Sequence, residues 1–181
     1  LPKSFDGYRI VQFSDIHLGS MRSELLERAV EQMNRQRPDM IAFTGDIQNM
    51  RPDELMRYTS TLRRLHAKDG VYSVLGNHDY SEYVPKLPMQ QRRHNEQLTR
   101  EFHANVGWQL LLNDHRIIRR ANDSIVIAGE ENDGLPPFPS KADLKRTLRG
   151  VNAHSFVVML QHDPSAWRRS ILPRSNVQLT L

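Results

Sequence analysis

Residues 8–17 read YRIVQFSDIH, a short apolar run that ends abruptly in a carboxylate and an imidazole. The same change recurs three times. Residues 40–46 read MIAFTGD, residues 71–79 read VYSVLGNHD, and residues 155–163 read SFVVMLQHD. Each apolar run has the length and β-branched or aromatic content of a buried strand. Each polar cluster follows directly: Asp15 and His17, Gly45 and Asp46, Gly76 to Asp79, and His162 with Asp163. In open α/β sheets the loops at the carboxyl ends of strands converge on one crevice, so residues far apart in sequence become neighbours there.

The segments between these runs fit that frame. Arg22 to Arg37 has helical spacing, with Leu25, Leu26, Ala29, Val30 and Met33 on one side, Ser23 as its N-cap and Glu24 behind it. Pro52 to His66 reads as a second helix with Leu55, Met56, Leu62 and Leu65 inward, stopped by Gly70. Residues 81 to 91 form an irregular loop broken by Pro85 and Pro88, and a helix from Met89 to Asn105 follows, ended by Gly107. Trp108 to Leu112 and His115 to Arg119 read as a hairpin turning at Asn113-Asp114, with a further strand from Ser124 to Ala128. Lys141 to Leu148 and Asp163 to Ser170 are expected as short helices, and Val177 to Leu181 as a last strand. The early strand–helix alternation predicts a largely parallel sheet, and the hairpin a mixed second one.

The polar clusters suit a metal centre. Two residues spaced as Asp15 and His17 leave a strand end on the same side. Gly45 and Gly76 allow the backbone to bend and approach closely. Asp46 has two oxygens and can bridge two cations, an arrangement that clamps the attacking and leaving oxygens of a displacement at phosphorus. The 181 residues contain no cysteine, which excludes disulfides and thiolate ligands and leaves His, Asp, Asn and Glu for hard or borderline divalent metals.

In this order Asp-x-His, Gly-Asp, Gly-Asn-His and a histidine after an apolar strand resemble the calcineurin-like metallophosphoesterase superfamily. Leu1-Pro2, Gly7 to Val11 and Ser14 to Gly19 resemble its bacterial membrane-associated branch. The resemblance implies an α/β fold, a four-layer αββα sandwich of two mixed sheets with flanking helices. It implies two divalent metal ions (Mn, Fe or Zn, with Mg as a further option). Asp15 and His17 would bind one, Asn77 and His162 the other, and Asp46 both. A water activated by the metals would hydrolyse a phosphate monoester, phosphodiester or pyrophosphate. His78 would stabilise the transition state or protonate the leaving oxygen, and Asp79 would either orient His78 or face solvent.

Two departures from the family pattern stand out. The second Asp that many members carry after Gly-Asp is Asn49 here, and the Gly-His-x-His motif expected after the strand at Val177 to Leu181 is not present. The expectation is therefore one domain, residues 1–181, incomplete at its C-terminus and short of its last strands. The alternative is a catalytically weak fragment or a binding scaffold.

The net charge of +4 is a weak excess, and the arginine pairs at 63–64, 92–93, 119–120 and 168–169 are scattered. No specific nucleic-acid binding is expected. The expected partner is a phosphorylated small molecule or lipid headgroup, of the UDP-diacylglucosamine type by resemblance. Membrane association is expected through segments outside this chain, with the cytoplasm as the alternative location. Outside the pattern, His66, His94, His103, His115 and His154 are expected on the surface, and Trp108 and Trp167 in the core or at its rim. Tyr80, Tyr83 and Phe138 are expected as loop packing or the wall of a groove. Glu130, Glu131 and Asp133 follow the Ile125–Ala128 strand and are expected within reach of the crevice, though no spacing marks them as ligands.

Overall fold

The computed structural model describes residues 1–181. Its first sheet runs β1 (Ile10–Phe13), β2 (Met40–Phe43), β3 (Val71–Ser73), β4 (Gln109–Leu110), in that spatial order and parallel throughout. The second runs β5 (Asp114–Arg120), β6 (Asp123–Gly129), β7 (Phe156–Leu160), β8 (Leu179–Thr180). It is mixed: β5 pairs antiparallel with β6, and the other pairs are parallel.

Strand order equal to chain order has a consequence. Right-handed crossovers between successive parallel neighbours put every connecting helix on the same face of the sheet. The helices α1 (Ser23–Arg35), α2 (Thr59–Leu62) and α3 (Met89–Asn105) therefore cover one face, and the other is free for the second sheet. The core divides accordingly. Leu26, Val30, Leu62 and Phe102 pack on Ile41 and Phe43. Met40, Ala42, Tyr72 and Val74 meet Ile118, Ile125, Ile127, Val158 and Leu160 between the sheets. Val126, Ala128, Val157 and Met159 face outward onto Ala166 and Ile171, with Leu144 of the short helix α4 (Leu144–Thr147) and Leu148 just after it alongside. Alternate residues of β2, β6 and β7 thus serve two different layers, which is why these strands read as unbroken apolar runs.

Local structure departs from the sequence expectations in several places. Helix α3 has the expected bounds. At α1, however, Ser23 is already helical and Arg22 occupies the N-cap without a capping side chain, while Leu25 is exposed. The expected helix over 52–66 breaks into two 3₁₀ turns, Pro52–Glu54 and Met56–Tyr58, before α2. Its start is held elsewhere: the Glu54 carboxylate turns back to accept from the backbone N–H groups of Asn49, Met50 and Arg51. Met56 is left exposed, while Leu55, Leu62 and Leu65 are buried.

The expected hairpin at Asn113 does not form. Its two strands belong to different sheets, because the buried Asn113 side chain pins the crossing to the second sheet. Its Oδ1 accepts from Glu131 and Asp143 N–H, and its Nδ2 donates to Glu131 and to the Lys141 carbonyl. The true hairpin joins β5 to β6 through Ala121 and Asn122. The segment after His162 forms a π-helical turn, Trp167–Ile171, in place of a longer helix. His103, expected on the surface, is fully buried beside Trp108 and Phe43, with Nδ1 on the Ser73 hydroxyl.

Candidate metal centre

Beyond the ends of β1 and β2 the chain continues pairing. Asp15 N donates to Gly45 O, His17 N to Asp46 O and Leu18 N to Ile47 O, at 3.0, 3.2 and 2.9 Å. To make these bonds, Asp15, His17 and Asp46 take left-handed backbone conformations, with φ of 54°, 39° and 61°. Each costs on the order of 1 kcal/mol or more for a side chain other than glycine, and such strain gathers at functional sites. Close approach also dictates the glycines. A Cβ on Gly45 would lie 2.6 Å from Gly76 N and 2.8 Å from His162 Nδ1, and one on Gly76 would overlap the Asp46 carboxylate.

Asp79 is fully buried, and its role differs from the one expected. Its Oδ2 accepts from Asp46 N and Gly76 N, both at 2.9 Å, and its Oδ1 accepts from Ile47 N at 2.9 Å and Gln48 N at 3.2 Å. These bonds lock the loop after β2 to the loop after β3. The His78 ring instead has its Nδ1 2.6 Å from the Asn49 carbonyl oxygen. The ring is thus held by the backbone of Asn49 rather than by a carboxylate.

The outcome brings the sequence-predicted residues together. His17 Nε2 lies 3.8 Å from Asp15 Oδ1 and 3.6 Å from Asp46 Oδ2. His162 Nε2 lies 3.4 Å from the same Asp46 Oδ2 and 2.9 Å from Asn77 Oδ1. Two groups of donor atoms, Asp15–Asp46–His162 and His17–Asp46–His78, each fall within 4.8 Å, and both contain Asp46.

The donor set suits a cation on two counts. First, each histidine spends Nδ1 on a backbone carbonyl: His17 on Gln48, His78 on Asn49, His162 on Thr44. A carbonyl only accepts, so Nδ1 carries a proton and Nε2 is the nitrogen left to face the site, the arrangement of metal-bound imidazoles. Second, the 3.4–3.8 Å gaps between Nε2 and carboxylate oxygens exceed hydrogen-bond length. They are close to the ~3.3 Å separating two ligands of one tetrahedral ion.

The electrostatics agree. Burial alone would raise the Asp46 carboxyl. The His162 ring and the His78 N–H, which donates to Oδ1 at 2.9 Å, outweigh it and hold Asp46 below the ordinary carboxylate range. Burial would lower His162, but the Asp46 carboxylate and the Thr44 carbonyl raise it to about 9. Asp79 is pushed up to about 7 by burial and by the Asp46 charge, against the pull of its backbone donors.

Several contributors carried no recognisable sequence signal. Glu54 ties the 49–51 loop, as described. The buried Gln48 donates from Nε2 to the His78 carbonyl and accepts at Oε1 from Thr99 of α3, so it braces the site against that helix. Tyr80 packs inside the fold, whereas Phe138 is exposed. Glu130 is buried and accepts from Gln161 Nε2 at 3.2 Å. A cleft of about 600 Å³ opens beside Asp15 and His162 and is walled by Gln12, Ser14, Gln161 and Trp167.

Comparison with known proteins bears on this geometry. Residues 8–176 match the family described as calcineurin-like phosphoesterase. The chain is 28% identical over 188 residues to a transmembrane protein with metallophosphoesterase domain from Danio rerio, covering all of this chain and 40% of that protein. It is 38% identical over 91 residues to the UDP-2,3-diacylglucosamine pyrophosphatase LpxG of Chlamydia trachomatis, covering 48% of this chain and 28% of that one. The fold is similar to that of the phosphopantetheinyl hydrolase PptH from Mycobacterium tuberculosis, with a TM-score of 0.53 at 14% identity over 89% of this chain and 70% of that one. The chain thus spans less than half of these two sequence relatives.

Two outcomes follow from the buried acids. Asp79→Ala strands four N–H donors and lowers unfolding free energy by about 3 kcal/mol or more, read as a drop in the urea midpoint. For Glu130, burial, with the charges of Asp133 and Asp143, raises the carboxyl from 4.5 to about 7 against the Gln161 bond. The folded state therefore holds this proton more tightly than the unfolded chain, and its stabilising effect is lost as pH rises from about 4.5 through about 7. Melting curves should show Glu130→Gln no more stable than the parent near pH 4, but more stable at pH 8.

Proposed function

The chain belongs to the calcineurin-like phosphoesterase family, matched over residues 8–176, and from that premise we propose that it hydrolyses a phosphodiester or pyrophosphate bond with two divalent cations held around Asp46. The observation that carries this is the position of Asp46 Oδ2, 3.6 Å from His17 Nε2 on one side and 3.4 Å from His162 Nε2 on the other. Asp15 and His17 would complete one cation position with Asp46. Asn77 and His162 would complete the other. When bound, such ions polarise phosphoryl oxygens and acidify water.

The remaining groups of this chain have separate work. Asp79 holds the Asp46 main chain through its N–H, and the His78 N–H holds the Asp46 carboxylate. His78, with Nδ1 on the Asn49 carbonyl, turns Nε2 toward the site, where it is positioned to pass a proton to the leaving oxygen. A phosphoryl group entering the cleft meets Asp15 and His162 at its inner end and the half-exposed Trp167 at its wall. The similarity to LpxG over half of this chain supports a pyrophosphate of a lipid headgroup as the substrate class. No helix of this chain is long and apolar enough to cross a membrane. The name of the zebrafish relative supports membrane association of a longer protein.

Calorimetric titration with manganese, paired with hydrolysis of bis-p-nitrophenyl phosphate, tests the proposal. Two ions per chain are expected. Asp46→Asn, nearly the same shape, should weaken both and lower kcat by more than about 100-fold. Hydrolysis that survives this substitution unchanged would refute the assignment.

A further inference from the structure

Residues 81–88 carry Tyr83 back over the metal centre. Its hydroxyl accepts from the Asn77 side-chain nitrogen at 2.7 Å. Its ring lies on the His78 imidazole, with centroids 4.4 Å apart and planes inclined by 37°. One half-buried side chain thus touches both a candidate ligand and the candidate acid. The two contacts use different parts of the tyrosine.

Consider Asn77 first. A carboxamide presents either oxygen or nitrogen to a site, and only the oxygen has a lone pair for a cation. With Nδ2 engaged by Tyr83, Oδ1 faces inward, 2.9 Å from His162 Nε2. No other hydrogen bond holds that nitrogen in this structure. Next, His78 is tethered at Nδ1 by one carbonyl, which leaves the ring free to tilt about that bond. Tyr83 on its face and His17 edge-on, with centroids 4.8 Å away at 81°, restrict the tilt.

We propose that Tyr83 is a positioning residue with two separable parts: the hydroxyl sets the Asn77 oxygen toward the cation position, and the ring fixes the plane of His78. This rests on the dinuclear centre proposed above. Such outer contacts commonly carry 10- to 100-fold in metal affinity or activity.

The two parts are tested by two substitutions in the chain, with manganese calorimetry and bis-p-nitrophenyl phosphate kinetics as readouts. Tyr83→Phe keeps the ring. It should melt with the parent, bind one manganese about tenfold more weakly and the other normally, and recover the parent kcat at saturating manganese. Tyr83→Leu lacks both parts. Its kcat should stay about tenfold low or worse even at saturating manganese, with KM little changed. Parent-like affinity at both sites in Tyr83→Phe overturns the role of the hydroxyl. Parent-like kcat in Tyr83→Leu overturns that of the ring. Should Tyr83→Leu fail to fold, Tyr83→Phe still decides the hydroxyl, and Tyr83→Trp, which restores an aromatic face, takes its place for the ring: parent-like kcat at saturating manganese is expected, and a tenfold loss overturns the role. If the parent itself binds no manganese, the dinuclear centre falls, a result distinct from either variant failing alone.

Discussion

A buried carboxylate holding four main-chain N–H groups organises this molecule. Asp79 belongs to the loop after β3, yet most of its partners are in the loop after β2: Asp46, Ile47 and Gln48, with Gly76 from its own loop. Four N–H groups inside the protein need an acceptor, and leaving them bare would be costly. The grip keeps Asp46 in an otherwise unfavourable left-handed conformation and aims its carboxylate between His17 and His162. Every proposed chemical role depends on that aim.

The layers explain why the grip can exist at all. Four parallel strands in chain order place all their crossovers on one face, so the opposite face can bury a second sheet. The loops after β1, β2 and β3 then emerge at one edge, and β7 delivers His162 to the same edge from the second sheet. Asp15, Asp46 and Asn77 come from one sheet and His162 from the other. Thr44 O accepts from His162 across that junction at 2.8 Å, so the centre also ties the sheets together.

Much of this was legible in the sequence because strand ends announce themselves. Asp15, His17, Asp46, Asn77, His78 and His162 each follow an apolar run, and the structure gathers them. The bounds of α3 were legible as well, since Pro88 stands before it and Gly107 after it. What could not be read depends on burial and on long-range partners. Asp79 looks like any acid after a histidine until the loop of Asp46 closes over it. The break in the 52–66 helix follows from Glu54 bonding backward to residues 49–51, a tertiary preference that overrides helical spacing. The misplaced hairpin has the same origin, because an Asn-Asp pair signals a turn but says nothing of which sheet the next strand joins. His103 is buried on a helix face that has little apolar periodicity, so no pattern marked it.

The most direct measurement is anomalous diffraction from crystals of the chain grown with manganese. Two peaks are predicted, one on either side of the Asp46 carboxylate, the first against Asp15 and His17 and the second against Asn77 and His162. Peaks elsewhere, or a map featureless around Asp46 at full manganese saturation, would contradict the account.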